Sequence, residues 1–369
     1  MIIFHTVSFL IISFLTLISL AGLGQILIHD YRKNVLESIF FGFIIVAIIV
    51  TFIHFFFKID FYFFYLILLI GIMISLKQKL LIFKKINKEK IIYLLIFFCL
   101  VPLYISQKYH EDFGYYHLPY LINLFNEKII FGLANTNIAF IYNSIWLNIS
   151  SIFLTKNSYD YVNLPTFLAY VIFIIFFIKE NIKTKEKKIS NYFAIVGIFY
   201  FILKFTRISE FGNDLPSILF SLLSIFYFLR FFETNELNDK KYYFFSNLSF
   251  SVFAILIKFS SIPIFILTIF LFMNNFKILK KEIFKFNYFC IYFLCTIFFI
   301  QQFIYSGCLI YPSKFTCLNV VWFDEEFLFW SNKLEIINKS YSDARNFFSE
   351  TNFLKNFNWF PYWFKRNSV

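Results

Sequence analysis

The densest group of side chains that could do chemistry follows directly after a long apolar run. The stretch is QKYHEDFGYYHLPYL, residues 107–121, in which Glu111 and Asp112 precede a tyrosine pair and His117. A carboxylate or imidazole at the mouth of a membrane helix can take a proton from an alcohol if it is reachable yet shielded. We therefore expect Asp112, or Glu111 beside it, to act as a general base. The alternative is an ordinary solvated loop in which Asp112 only forms a turn.

A second polar turn, TRISEFGNDLP, carries Arg207, Glu210 and Asp214 between two apolar runs. The planar guanidinium of an arginine suits bidentate contact with a phosphate, so this turn is predicted to contribute to a site for an anionic ligand. Lys258, in the turn IKFSSIP, would add another positive charge. Its alternative role is that of a lysine that snorkels from a helix end.

A divalent cation is a further possibility at these acidic groups, because hard cations favour carboxylate oxygens. Asp112 could hold it together with Glu111, Asp214 or Glu210, but no spacing in the sequence establishes a metal site.

The elements that position these residues are membrane helices. Of the 369 residues, 60% are hydrophobic and 15% are charged, whereas soluble proteins are about half apolar and about a quarter charged. The net charge of +12 comes largely from short basic clusters between apolar runs, which is typical of cytoplasmic loops and argues against a nucleic-acid partner. The partners expected from composition are therefore the lipids of the membrane around the helices.

The predicted fold is an all-α, polytopic bundle of about ten spanning helices, because each crossing needs about twenty mostly apolar residues. The runs that qualify are 2–28, 35–57, 59–76, 91–106, 161–178, 189–206, 214–232, 242–257, 261–274 and 286–305. The lysine-rich loops at 77–90 and 179–188 are assigned to the cytoplasm.

Whether the number of crossings between two loops is odd or even then decides whether they lie on opposite sides of the membrane or on the same side; we call this argument parity. An odd number of crossings must join the outer end of 91–106 to the cytoplasmic loop at 179, so one of the runs 138–154 and 161–178 cannot span. The first contains several Asn and Ser residues, and we interpret it as an amphipathic helix at the outer interface. The large external loop 107–160 and the turns at 207–213 and 258–260 then face the same outer compartment.

Two domains are predicted: a transmembrane bundle at 1–320 with its external loop 107–160, and an external or interfacial segment at 321–369. Cys308 and Cys317 share a predicted external stretch, where they could form a disulfide or remain two thiols.

These motifs resemble those of the GT-C class of polytopic glycosyltransferases, which includes dolichyl-phosphate-mannose-like and aminoarabinose-transferase-like families. The likeness rests on DFGYYHLPYL after the first-loop helix, on a later turn that ends in Asp-x-Pro, and on SGCLIYPSKFTCL at 306–318. It is nearest to bacterial membrane proteins with a Tyr-His-Leu segment after the acidic residue. It implies an inverting enzyme of the bacterial inner membrane that transfers sugar from a polyprenyl phosphate, with Asp112 matching the first-loop acid and Asp214 the second-loop acid.

The predicted reaction belongs to cell-envelope polysaccharide biosynthesis. It moves a sugar from a polyprenyl-phosphate carrier to a glycan or lipid acceptor at the outer face, with Arg207, His117 and Lys258 stabilising the departing phosphate. One alternative is a polysaccharide polymerase or ligase, which would use Arg345 or Arg366 in a late loop. The other is a transporter or flippase without covalent chemistry, although such proteins usually place polar residues at mid-membrane depth.

Overall fold

The computed structural model confirms the all-α class. It describes residues 2–29, 31, 34–80, 88–108, 111–141, 143–156, 158–183, 186–340, 358 and 360–361. Within these residues there is no strand, only three isolated bridges. The α-helices are α1 (Ile2–Ile28), α2 (Val35–His54), α3 (Phe61–Lys77), α4 (Lys88–Ile105), α5 (Leu118–Asn126), α6 (Ile145–Ser151), α7 (Leu164–Lys183), α8 (Ile189–Leu203), α9 (Asp214–Phe232), α10 (Leu237–Ile257), α11 (Phe265–Asn274), α12 (Phe276–Leu279), α13 (Phe286–Ser306) and α14 (Glu325–Ser340).

Five helices in the described part of the chain are long and apolar enough to cross a membrane, which identifies a membrane protein. They are Thr6–Ile28, Val35–His54, Leu164–Ile182, Asp214–Phe232 and Phe286–Ser306. A sixth crossing is possible if the bent pair Phe259–Asn274 and Phe276–Phe284 forms a single span. The other predicted runs are also helical, but those at α3 and α8 are shorter, with 17 and 15 residues.

Small residues let the first three helices pack closely. A Cβ atom added at Gly22 would lie 2.0 Å from the backbone oxygen of Gly71 on α3. One added at Gly24 would lie 1.7 Å from the backbone oxygen of Ser38 on α2. The backbones of α1, α2 and α3 are therefore in contact. In membrane bundles the hydrophobic effect does not drive helices together, and small residues instead allow close van der Waals packing.

A buried polar network joins α9, α10 and α11. The Asn247 amide donates to the backbone oxygen of Ser224 at 3.0 Å and to its hydroxyl at 2.9 Å. Its side-chain oxygen accepts from the hydroxyl of Thr268 at 2.8 Å, and that hydroxyl lies 3.0 Å from the hydroxyl of Ser251. Because water is scarce in the bilayer core, polar side chains there need such partners within the protein.

Side-chain contacts join several helix ends that are distant in the sequence. At the predicted inner ends, the Arg230 guanidinium lies 2.9 Å from the Glu180 carboxylate, and the Glu233 carboxylate accepts from the Ser190 hydroxyl at 2.6 Å. At the predicted outer ends, the Ser144 hydroxyl donates to the backbone oxygen of Ile257 at 2.8 Å. The ends of α7 and α9 thus lie beside the start of α8.

The run at 138–154 does not span, but it differs from the amphipathic surface helix that the sequence suggested. Its α-helix, α6, has only seven residues, or about 10 Å of rise. All seven are buried. Asn148 donates to the Thr51 hydroxyl at 3.0 Å and accepts from the Tyr120 hydroxyl at 3.1 Å. The polar side chain of Asn148 therefore forms hydrogen bonds inside the protein and does not lie on a solvent-exposed helix face.

The chain forms two compact units. The first comprises residues 1–129 and 143–298, and the second comprises 130–142 and 299–369. In the second unit Cys308 and Cys317 form a disulfide, which decides between the alternatives that the sequence left open. Asn135 donates to the backbone oxygen of Trp322 at 2.9 Å and so holds the two stretches of this unit together. Arg345, Arg366 and residues 81–87 of the lysine-rich loop at 77–90 lie outside the described residues.

Candidate functional site

Backbone hydrogen bonds join the start of the large loop to the second polar turn. A short 3-10 helix, Phe205–Ser209, forms this turn after α8. The Lys108 amide donates to the backbone oxygen of Ser209 at 2.9 Å, and Lys108 forms an isolated parallel bridge with Glu210. Asn163, just before α7, donates to the backbone oxygen of Ile208 at 2.7 Å. Residues far apart in sequence therefore share one end of the bundle.

The far end of the loop returns to the same place. The Tyr104 hydroxyl and the Gln107 amide both donate to the backbone oxygen of Asp160, at 2.7 and 2.8 Å. The loop that follows α4 is thus closed at its base before the chain enters α7.

Glu111 and Asp112 are exposed and lead into a single turn of π-helix, Phe113–His117. Such turns are rare and occur frequently at functional sites. The Phe113 ring lies 4.0 Å from the Phe211 ring, centroid to centroid, which fixes the start of this turn against the segment that precedes Asp214.

His117 is buried at the end of the π-turn and lies beside Gly212. A Cβ atom on Gly212 would be 3.8 Å from His117 Nε2. Gly212 has φ of 149°, a region that side chains rarely adopt, so glycine is required there by the backbone. The imidazole is thus held beneath the second turn rather than at its exposed rim.

The predicted cations are already paired with two of the predicted acids. The Arg207 guanidinium lies 3.0 Å from the Glu210 carboxylate. Lys258 forms an ion pair with Asp214 that joins the turn before α9 to the turn after α10. Both cations remain about half exposed, at 49% for Arg207 and 46% for Lys258. An incoming anion could therefore reach either of them, but it would compete with a carboxylate.

Tyr116 lies within electrostatic reach of two acids that the sequence places in separate segments. Burial, followed by the negative charges of Asp112 and Asp214, raises the pKa of its phenol to about 12. Both carboxylates therefore act electrostatically on this half-buried hydroxyl, which stays protonated at neutral pH. The tyrosine pair at 115–116 was visible in the sequence, but nothing there distinguished Tyr116 from its exposed neighbour.

Beneath this surface lies a small pocket whose wall combines aromatic and polar side chains. Its lining includes His117, Asn163, Thr166 and the rings of Phe113 and Trp146. The Trp146 indole donates to the Thr166 hydroxyl at 3.0 Å, which fixes part of the wall. The pocket adds buried hydrogen-bonding groups directly under the charged rim.

The acidic residues do not by themselves form a cage for a metal ion. No three His, Cys, Asp or Glu side chains among the described residues lie close enough to hold one. Asp214 and Glu210 are engaged by Lys258 and Arg207. A magnesium ion would need oxygens from a bound phosphate, which is how this ion is commonly held in enzymes that act on phosphates.

A family model described as a domain of unknown function (DUF8201) matches residues 1–369. No curated protein and no solved structure matches the chain.

Proposed function

The chain belongs to the DUF8201 family, whose description gives no activity, and we propose that it is a membrane glycosyltransferase. It would move a sugar from a polyprenyl-phosphate carrier to a glycan or lipid acceptor at the outer face of the bacterial inner membrane. The observation that carries this proposal is the grouping around Tyr116, where Asp112 and Asp214 act on one protonated hydroxyl. The resemblance of DFGYYHLPYL to the GT-C class supplies the reaction type.

The proposed topology has ten crossings, with the N terminus and this grouping outside. Two observations support it. The ends of α7 and α9 meet through Glu180 and Arg230, as they would if α8 and α9 both cross, and Ser144 of the large loop bonds Ile257 at the end of α10, as it would if both lie on the outer side. The disulfide between Cys308 and Cys317 suits the oxidising side of a bacterial inner membrane, which is where parity places the end of α13.

In the proposed reaction the exposed Asp112 carboxylate takes the proton of an acceptor hydroxyl, with Glu111 as the neighbouring acid. The hydroxyl oxygen then forms a bond to the anomeric carbon of the donor sugar. The bond from this carbon to the phosphate oxygen breaks, and its electron pair leaves with the polyprenyl phosphate. Attack from the face opposite the leaving group inverts the anomeric configuration.

Charge at the leaving phosphate would be stabilised by Arg207 and Lys258. In the described structure these cations bind Glu210 and Asp214, so the site is neutralised before substrate arrives. A phosphate that displaces one carboxylate gains charge-assisted hydrogen bonds where charge develops during the reaction. His117, buried beneath the turn, would orient the surrounding groups, and the Tyr116 hydroxyl can donate to a phosphate or sugar oxygen.

The test is transfer from radiolabelled polyprenyl-phosphate sugars to membrane acceptors, assayed one sugar at a time. Asp112→Asn should abolish transfer, because asparagine keeps the shape but cannot take the proton. Glu127→Gln is the matched control, since Glu127 is an exposed acid in the same loop. Undiminished transfer by the Asp112 variant would remove Asp112 from the mechanism. Flipping or uptake in vesicles without any glycan product would instead indicate a transporter.

A further inference from the structure

A short segment on the predicted inner side turns sharply away from its helix. The helical stretch Phe259–Asn274 and the following stretch Phe276–Phe284 meet at an angle of 90°. We refer to residues 275–286 as the elbow segment. If the first stretch runs across the membrane, a right angle lays the elbow segment along the membrane surface at the depth of the lipid headgroups.

The elbow segment is fastened to the bundle by buried contacts. Leu279 is fully buried, and Glu282 is nearly so. The Glu282 carboxylate lies 2.9 Å from the Lys241 ammonium on α10 and 2.6 Å from the Lys285 ammonium. This fixed attachment means that the segment presents the same outer side chains to its surroundings at all times.

The outer side chains combine large apolar groups with positive charge. Phe284 is 85% exposed and Phe286 is 64% exposed, and Phe276 and Ile278 are exposed as well. Lys277, Lys280 and Lys281 are exposed between them. Glu282 is the only acid in the segment and already binds two lysines, so the outer charge is positive.

We propose that the elbow segment is a binding surface for anionic phospholipids. A surface of exposed phenylalanines in water would be costly, whereas at the membrane interface the rings enter the acyl boundary and the lysines meet phosphates. Basic clusters beside a spanning helix attract anionic headgroups, with each lysine near the surface worth roughly five-fold in affinity. The ligand is therefore a leaflet lipid with a net negative headgroup, and this inference is independent of the proposed transferase reaction.

Fluorescence quenching tests the proposal in the full-length protein. Phe284→Trp places a reporter at the most exposed ring of the segment, and signal from the native tryptophans is subtracted using the parent protein. The protein is held in detergent micelles and titrated with phosphatidylglycerol or phosphatidylcholine that carries brominated chains. We expect both lipids to quench, with phosphatidylglycerol favoured by at least about five-fold. This preference should decline with added salt, because exposed charges are screened.

In the lysine triple variant K277Q/K280Q/K281Q, made in the Phe284→Trp protein, the two lipids should quench the tryptophan fluorescence equally. The control K58Q/K128Q/K156Q removes the same charge from exposed lysines at the predicted outer side and should keep the preference. Equal quenching in the parent reporter protein would overturn the proposal, as would a preference that survives the elbow variant. Competition by inorganic phosphate at millimolar concentration would also overturn it, because the site would then bind free anions rather than lipid.

Discussion

The ion pair between Lys258 and Asp214 is exposed on both sides, with side-chain exposures of 46% and 56%. Exposed pairs contribute about 0–1 kcal/mol to stability, so this pair does little for the fold. If Lys258 binds the donor phosphate, Lys258→Gln should lower transfer by about ten-fold or more, the size of a lost charge-assisted hydrogen bond. Its thermal unfolding temperature should stay close to that of the parent.

Lys314→Gln is the control for this prediction, because Lys314 forms a still more exposed pair with Glu325 in the second unit. Transfer assays and thermal unfolding in detergent would be run on both variants. If Lys258→Gln lowers the unfolding temperature in proportion to its loss of transfer, the residue serves the fold and not the phosphate.

Tyr116 gives a prediction on pH. A phenol ionises near pH 10 in the unfolded chain but only near pH 12 in the folded protein. Stability that depends on keeping Tyr116 protonated is therefore complete below pH 10 and is lost as pH rises from 10 to 12. Tyr116→Phe cannot ionise, so its unfolding temperature should decline less than that of the parent across this window.

Melting curves from pH 9 to 12 measure this difference directly, with Tyr115→Phe as an exposed neighbouring control. Parallel curves for the parent and Tyr116→Phe would mean that burial and the two carboxylates do not raise the pKa of Tyr116 in the folded protein.

Residue types predicted part of the candidate site. Arg207, Glu210 and Asp214 could be selected from sequence because charged residues are rare beside apolar runs. Tyr116 could not be selected, since its role depends on how two segments about a hundred residues apart pack together. The pairing of Lys258 with Asp214 likewise depends on the packing of α9 against α10.

At the scale of elements, the contact of α1 with α2 gives a stability prediction. Gly24→Ala would place a Cβ atom 1.7 Å from the backbone oxygen of Ser38, so the helices must separate. Overpacking of this kind costs about 1–3 kcal/mol, which should lower the unfolding temperature measurably. Gly114→Ala is the matched control, because an added Cβ there meets nothing within 4 Å. Equal unfolding temperatures for the two variants would contradict the close packing of α1 on α2.

The helices themselves were largely predictable, because long apolar runs have few alternatives in a bilayer. The packing role of α6 was not. Its asparagine and serine content suggested an amphipathic helix at the outer interface for 138–154, whereas Asn148 bonds Thr51 and Tyr120 inside the bundle. A polar residue on a membrane segment points either to water or to another helix, and a single sequence does not distinguish the two.

At the scale of the whole molecule, composition was sufficient to predict a membrane protein, and parity predicted which helix ends share a side. Length and composition together limit the count among the described residues to five spans plus a bent pair. The helices α3 and α8 are shorter than a full crossing, whereas α4 and α10 are long enough but less apolar at their starts, where several residues are charged. Short helices can still cross where the bilayer thins or flanking residues snorkel. The number of crossings is therefore decided by where the loops lie.

Cysteine labelling measures the side of each loop. In a protein whose free cysteines Cys99, Cys290 and Cys295 are replaced by alanine, single cysteines would be placed at exposed positions on four connections. An impermeant maleimide added to spheroplasts should label Lys156→Cys and Ser260→Cys directly, because both connections face outward in the ten-crossing topology. Lys187→Cys and Asn235→Cys should be labelled only after permeabilisation.

Each comparison tests particular helices. Positions 156 and 187 differ by one crossing, α7, and positions 235 and 260 differ by α10 alone. Positions 187 and 235 should behave alike, because both α8 and α9 lie between them and return the chain to its starting side. Opposite labelling at 187 and 235 would mean that the 15-residue α8 does not cross. Arg207 and Asp214 would then both lie on the inner side, across the membrane from Asp112, and could not share a site with it. Reversed labelling at all four positions would place Asp112 on the inner side and would exclude transfer at the outer face.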